Sequence, residues 1–125
     1  MEEEKKPLGW TSVEQARLLM KVGLFVDSAD MSYSLNNYDR NGDLYDIPLT
    51  FKGKDIPWCD SYIPCWSVGK LIDLIPYEPT ISLNDGHWMV MFDIGDTERH
   101  QFFGDSLIEA LVQVHIWLLE WCLKN

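Results

Sequence analysis

Residues Ser106 to Lys124 constrain this chain more than any other stretch. The strongly polar side chains there are Glu109, Gln113, Glu120 and Lys124, spaced 4, 7 and 4 apart, so a 3.6-residue period gathers them into one narrow stripe. Apart from His115, every other position from Leu107 to Leu123 is apolar. A surface helix normally has the reverse balance, one apolar stripe and a broad wet face. This helix must therefore be covered on most sides, by a sheet and a second helix or by another copy of the chain. Self-association through it is one way to supply that cover, and a homodimer is expected on that reading.

The rest of the chain is large enough to provide a core. A length of 125 residues suits one domain, and 46% apolar with 13% aromatic residues makes it globular. Residues 1–10 are read as a flexible charged tail and 11–125 as a single domain. Twenty acidic residues against ten basic ones leave a net charge of −10, and beyond Asp60 the only cations are Lys70, Arg99 and Lys124. Nucleic acid and anionic membrane surfaces both require clustered cations, so neither is an expected partner. Met1 to Lys6 is charged with no apolar run behind it, and the apolar C-terminal run is interrupted by Gln113, His115 and Glu120. Three cysteines, at 59, 65 and 122, lack a paired-thiol motif. Reduced thiols in the cytoplasm are the expectation.

Local signals order the elements. Thr11 and Glu14 fit a capping box, and Val13, Ala16, Met20 and Leu24 share a face, so a helix is expected over Ser12 to Val22, closed by Gly23. Met31, Tyr33 and Leu35 alternate as in a half-buried strand. Asn41-Gly42 suits a type I′ hairpin turn, returning through Leu44, Tyr45 and Ile47 to Pro48. Phe51 to Pro64 has no clean period and reads as an ordered loop. Ser67 caps a short helix with Val68, Leu71, Ile72 and Ile75 on one face, ended by Pro76. Strands at Thr80–Leu83, His87–Phe92 and Glu98–Phe103 form a meander, and Ser106 with Glu109 starts the last helix. The expected fold is α+β: an antiparallel sheet, made of a hairpin and a three-strand meander, with N- and C-terminal helices packed on it and a short helix between.

Signals for chemistry are weaker. Asp39, Asn41 and Asp43 alternate like the first ligands of a calcium loop, but Leu44 stands where glycine is needed and Thr50 where a bidentate Glu should close the site. Cys59, Cys65, His87 and His100 are spaced too widely for a usual zinc site. No metal or cofactor is expected. Cys65, just before the cap Ser67, is a candidate nucleophile with His87 or His100 as its base, although no elbow or paired-thiol motif marks it. His115 lies on the apolar side of the last helix, where it is hydrogen-bonded in a core, or in a self-interface that would respond to mild acid. The strongest lead is aromatic. Trp58, Tyr62 and Trp66, interleaved with Pro57, Ile63 and Pro64, place large rigid surfaces in a non-periodic segment, as in many interfaces and sugar or peptide grooves. Inward folding as a satellite core is the other outcome. Asp55, Asp60 and Asp73 lie near enough in sequence to rim such a site.

Three blocks carry a resemblance. They are Val13-Glu14-Gln15 through Gly23-Leu24 with Ser28-Ala29-Asp30-Met31; Pro64 to Leu71 ending at Leu74-Ile75-Pro76; and Gly104-Asp105-Ser106-Leu107 with Glu109-Ala110 and Trp117-Leu118-Leu119-Glu120. Together they resemble small uncharacterised proteins of gut Bacteroides-type bacteria and their prophages and mobile elements, over most of the chain outside Asn36 to Lys54. The resemblance implies a bacterial cytoplasmic setting with a phage connection and transfers no catalytic residue. The leading expectation is a non-enzymatic interaction module (an adaptor, regulator or inhibitor) binding a protein partner through Trp58, Tyr62 and Trp66. The alternatives are a small thiol enzyme using Cys65, or a small-molecule or carbohydrate binder using the same aromatic residues.

Overall fold

A computed structural model describes residues 9–34, 49–50 and 62–124. The expected α+β arrangement is present, with its strands divided between two sheets. Helix α1 (Val13–Val22) and a single 3₁₀ turn (Val26–Ser28) lead into β1 (Met31–Ser34). β2 (Leu49–Thr50) and β3 (Tyr62–Cys65) flank β1 in the order β2-β1-β3. After α2 (Val68–Asp73), the meander β4 (Thr80–Asn84), β5 (His87–Ile94) and β6 (Glu98–Gly104) forms the second sheet in sequential order, and α3 (Leu107–Lys124) follows. All pairings are antiparallel.

Helix α3 is covered as its composition demands. Sheet residues of β5 and β6 lie against it on one side, and α1 and α2 pack on the others. Ile108, Ala110, Leu111, Val112, Val114 and Leu118 are buried, while Glu109, Gln113 and Glu120 form the exposed stripe. The chain itself thus supplies the cover that a second copy could have supplied. No described helix is long and apolar enough to cross a membrane.

Several local expectations change. The capping box of α1 is Ser12 with Gln15, one residue later than Thr11 with Glu14: the Gln15 N–H donates to Ser12 Oγ and the Ser12 N–H to Gln15 Oε1. Thr11 is drawn into the core instead, where its Oγ1 accepts the Trp66 N–H at 3.1 Å. Gly9 and Trp10, assigned above to the tail, belong to the fold. Trp10 bridges to Ser67, and the Val68 N–H donates to Gly9 O. Strand β1 is buried on both faces, since Ser32 is as inaccessible as Met31 and Tyr33. The end of the Phe51 to Pro64 segment, read above as loop, belongs to β3, which runs on to Cys65. Among the described residues β3 lies at the edge of its sheet, a position where a proline's missing N–H can face away from the ladder. The Asn41-Gly42 turn and its return through Leu44 to Ile47 lie outside the described residues, as do the calcium-like positions 39, 41 and 43.

The meander agrees with its sequence signals. Asn84 faces His87 across a two-residue turn in which Asp85 (φ 52°) and Gly86 (φ 81°) both adopt the left-handed backbone that a type I′ turn requires. At the far end Ser106 Oγ accepts the Glu109 N–H, while the Glu109 carboxylate reaches one residue further back, to the Asp105 N–H. This cap sets α3 directly against the end of β6.

Candidate interaction face

The aromatic lead divides. Trp58 lies outside the described residues, with Cys59, Asp55 and Asp60, and Tyr62 is half-buried on β3. Trp66 is 0% exposed. Its indole N–H donates to Ser28 Oγ at 3.0 Å, and the residue belongs to the buried hydrophobic core. The expected binding role of Trp66 is therefore corrected to a structural one. An indole in a short irregular segment buries a large apolar area once its single donor is satisfied, and Ser28 satisfies it.

The thiol reading also fails on geometry. Cys65 is fully buried and unbridged; its sulfur lies 3.6 Å from Thr11 Oγ1 and 3.4 Å from Thr11 O. Burial pushes the thiol up to about 11, a rise that hydrogen bonds from Thr11 and Tyr33 only partly oppose. At neutral pH it is a protonated, inaccessible group rather than a nucleophile. The two proposed bases sit on the other sheet. His87 is exposed, with Nδ1 3.1 Å from an Asp105 carboxylate oxygen, and His100 lies by Glu98 with its ring centroid 4.3 Å from that of Trp117. Among the described residues no group of His, Cys, Asp or Glu is placed to hold a metal ion.

His115 takes the core alternative. Its Nε2 is 2.7 Å from Leu71 O, and since a carbonyl only accepts, Nε2 carries the proton. The Ile75 N–H turns back to Ile72 O at the C-terminal end of α2, leaving Leu71 O without its usual helical donor. The histidine supplies one. Burial lowers its pKa below 6.5, against the smaller raising effect of this hydrogen bond.

Two features that the sequence reading did not single out now stand out. The first is an aromatic cluster between the meander and the end of α3. Phe92 stacks on Tyr77 and Phe102 at centroid distances of 5.3 and 5.6 Å, and Trp117 stacks on Trp121 at 5.9 Å and approaches Phe92 at 6.1 Å. Apart from Trp117 and Trp121, one helical turn apart on α3, its members come from separate segments, so only the period of each element could have joined them. This cluster closes the sheet against the helix.

The second is the opposite face of the same sheet. Period two sends Trp88, Val90 and Phe92 toward α3 and sets His87, Met89, Met91 and Asp93 on the outer side. Cross-strand register places Phe103 opposite Met89, Gln101 opposite Met91 and Arg99 opposite Asp93, with Ser82 and Thr80 flanking on β4. Phe103 is 59% exposed. The Gln101 amide lies 3.7 Å from the Met91 sulfur, and Arg99 Nε bonds Asp93 at 2.9 Å, a contact that holds the Asp93 carboxyl below its ordinary range. The result is an apolar stripe of two methionines and a phenylalanine, rimmed by hydroxyl, amide and charged groups. Adaptable methionines and aromatic residues inside a polar border are enriched in protein interfaces relative to the rest of a surface. The clue in the sequence was the alternation through Met89 and Met91, which also fits a solvated sheet face.

No protein-family model, curated protein or solved structure matches this chain.

Proposed function

We propose that this chain is a non-enzymatic interaction module of the bacterial cytoplasm that receives a protein partner on the outer face of its meander sheet. The observation carrying this reading is the Met89–Met91–Phe103 stripe: large apolar side chains on a sheet face, opposite the one that α3 covers, with Phe103 mostly in solvent. The partner's apolar residues would seat on the methionines, while hydrogen bonds at the Thr80, Ser82 and Gln101 rim would set its orientation. The same surface replaces the Trp58–Trp66 loop as the expected contact, because Trp66 is committed to the core.

The test uses the parent protein and a Met89→Lys, Phe103→Asp double variant as baits in a bacterial lysate, followed by titration of any captured, purified partner. Both positions face outward, so the variant should keep the parent's circular dichroism. Capture by the parent alone, with shifts of the Met89 and Met91 methyl resonances on titration, supports the reading. Equal capture by both baits, or no capture by either, counts against it.

A further inference from the structure

We infer that two copies of this chain join through the edge of β4 that faces away from β5, in antiparallel register centred on Ser82, to make one sheet continuous across both copies. Backbone groups along the edge of β4, rather than the side chains of the sheet's outer face, make this contact.

Hydrogen-bond geometry identifies the groups involved. Asn84 and His87 flank a two-residue turn and so form the hydrogen-bonded pair that closes it. Counting back along the ladder, Ser82 and Thr80 also direct their backbone groups to β5. Ile81 and Leu83 direct theirs the other way, and among the described residues no strand lies on that side. Edge strands in stable monomers are usually blunted by charge, proline or a bulge. The other edge of this sheet, β6, carries Glu98 and Arg99, whereas β4 reads Thr-Ile-Ser-Leu-Asn without a charge or a proline. Beside this edge Leu83 is 54% exposed, although its alternation places it on the same face as Ile81.

The sequence of β4 fits a second copy of itself. A two-fold interface must be self-complementary, and the polar–apolar–polar–apolar–polar pattern is symmetric about Ser82. Antiparallel pairing about that residue sets Ile81 opposite Leu83 of the second copy. Those two positions carry the outward N–H and C=O groups, so each pair exchanges both backbone hydrogen bonds. This register overlaps the whole of β4 and gives Leu83 an apolar neighbour. Charge points the same way. For a chain of net charge −10, approach through an uncharged edge is the contact that least opposes like-charge repulsion.

The register makes a specific demand on Ser82. It places the two Ser82 residues in a non-hydrogen-bonded pair, with Cα atoms about 4.5 Å apart, within the range that a disulfide spans. Two Thr80 residues would sit ~13 Å apart, beyond that range.

The experiment measures solution mass for the parent and for Leu83→Lys, and maps disulfide-linked peptides after mild oxidation of Ser82→Cys and Thr80→Cys, with the parent as control for its own thiols. The expected result is a parent at twice the 14.6 kDa chain mass, with dimer formation strengthening as salt screens repulsion. Leu83→Lys should be monomeric with unchanged circular dichroism, and position 82 should link to itself while position 80 does not. A parent that stays monomeric at every concentration overturns the inference. So does a dimer undiminished in Leu83→Lys, or linkage at position 80 as ready as at 82. The two cysteine variants decide the register even if Leu83→Lys fails to fold.

Discussion

Thr11 joins three parts of the chain with the polar atoms of one residue. Its N–H donates to Trp66 O, its Oγ1 accepts the Trp66 N–H, and its carbonyl accepts the Tyr33 hydroxyl at 2.6 Å. All three residues are buried, so each bond has no competing water. Thr11→Val keeps the shape and removes the acceptor for the Trp66 amide. The expected loss is about 1–3 kcal/mol, the desolvation penalty of an unpaired buried donor. Urea unfolding checks this, and Thr11→Ser should remain close to the parent. The sequence could not announce this role. Thr11 with Glu14 and Ser12 with Gln15 both satisfy the capping pattern, and the choice between them is made by Trp66, whose amide lies 55 residues away. Trp66 misled for a related reason: aromatic density in an irregular segment marks a buried anchor as readily as an exposed one.

At the scale of elements, the junction between β6 and α3 tolerates no side chain. A Cβ on Gly104 would lie 2.6 Å from Ala110 N and 2.9 Å from Ser106 O, both backbone atoms of the first helical turns. Gly104→Ala must therefore displace the start of α3 from the sheet, at an expected loss on the order of 1–3 kcal/mol or more. A thermal melt measures it; a midpoint equal to that of the parent would mean the junction is looser than described. The elements readable in the sequence were those with a period. Both long helices, the capped short helix and the meander are amphipathic at 3.6 or 2 residues, or bounded by turn residues that need positive φ. Strand β3 was not readable. Ile63, Pro64 and Cys65 are all buried, so no alternation exists, and Pro64 argues against a strand unless its edge position is known. The outer sheet face was readable as a pattern but not as a surface, because only the placement of α3 decides which side of a sheet is covered.

For the whole molecule, His115 couples stability to pH. It links α3 to the C-terminal end of α2, and burial keeps it neutral in the folded chain, with a pKa below 6.5. As pH falls through 6.5, the unfolded chain takes up this proton before the folded one does. The neutral histidine's contribution is therefore complete above 6.5 and is lost as pH falls toward the lowered native value. His115→Gln retains a donor for Leu71 O and removes the proton. Denaturation midpoints on either side of 6.5 should fall more steeply with acid in the parent than in His115→Gln, and equal slopes would show that the histidine does not set this dependence.

The packing of α1 against α3 has a consequence for how the chain is made. The buried side of α1, Ala16 and Leu19, is synthesised well before part of its cover, an element that begins only at Leu107. The residues just before it wait for Trp66 to Val68 in the same way. Contacts of such separation close large loops and form late. A nascent chain therefore carries an apolar helix without its lid until nearly all of these elements have left the ribosome, and during that interval it depends on chaperones or on speed.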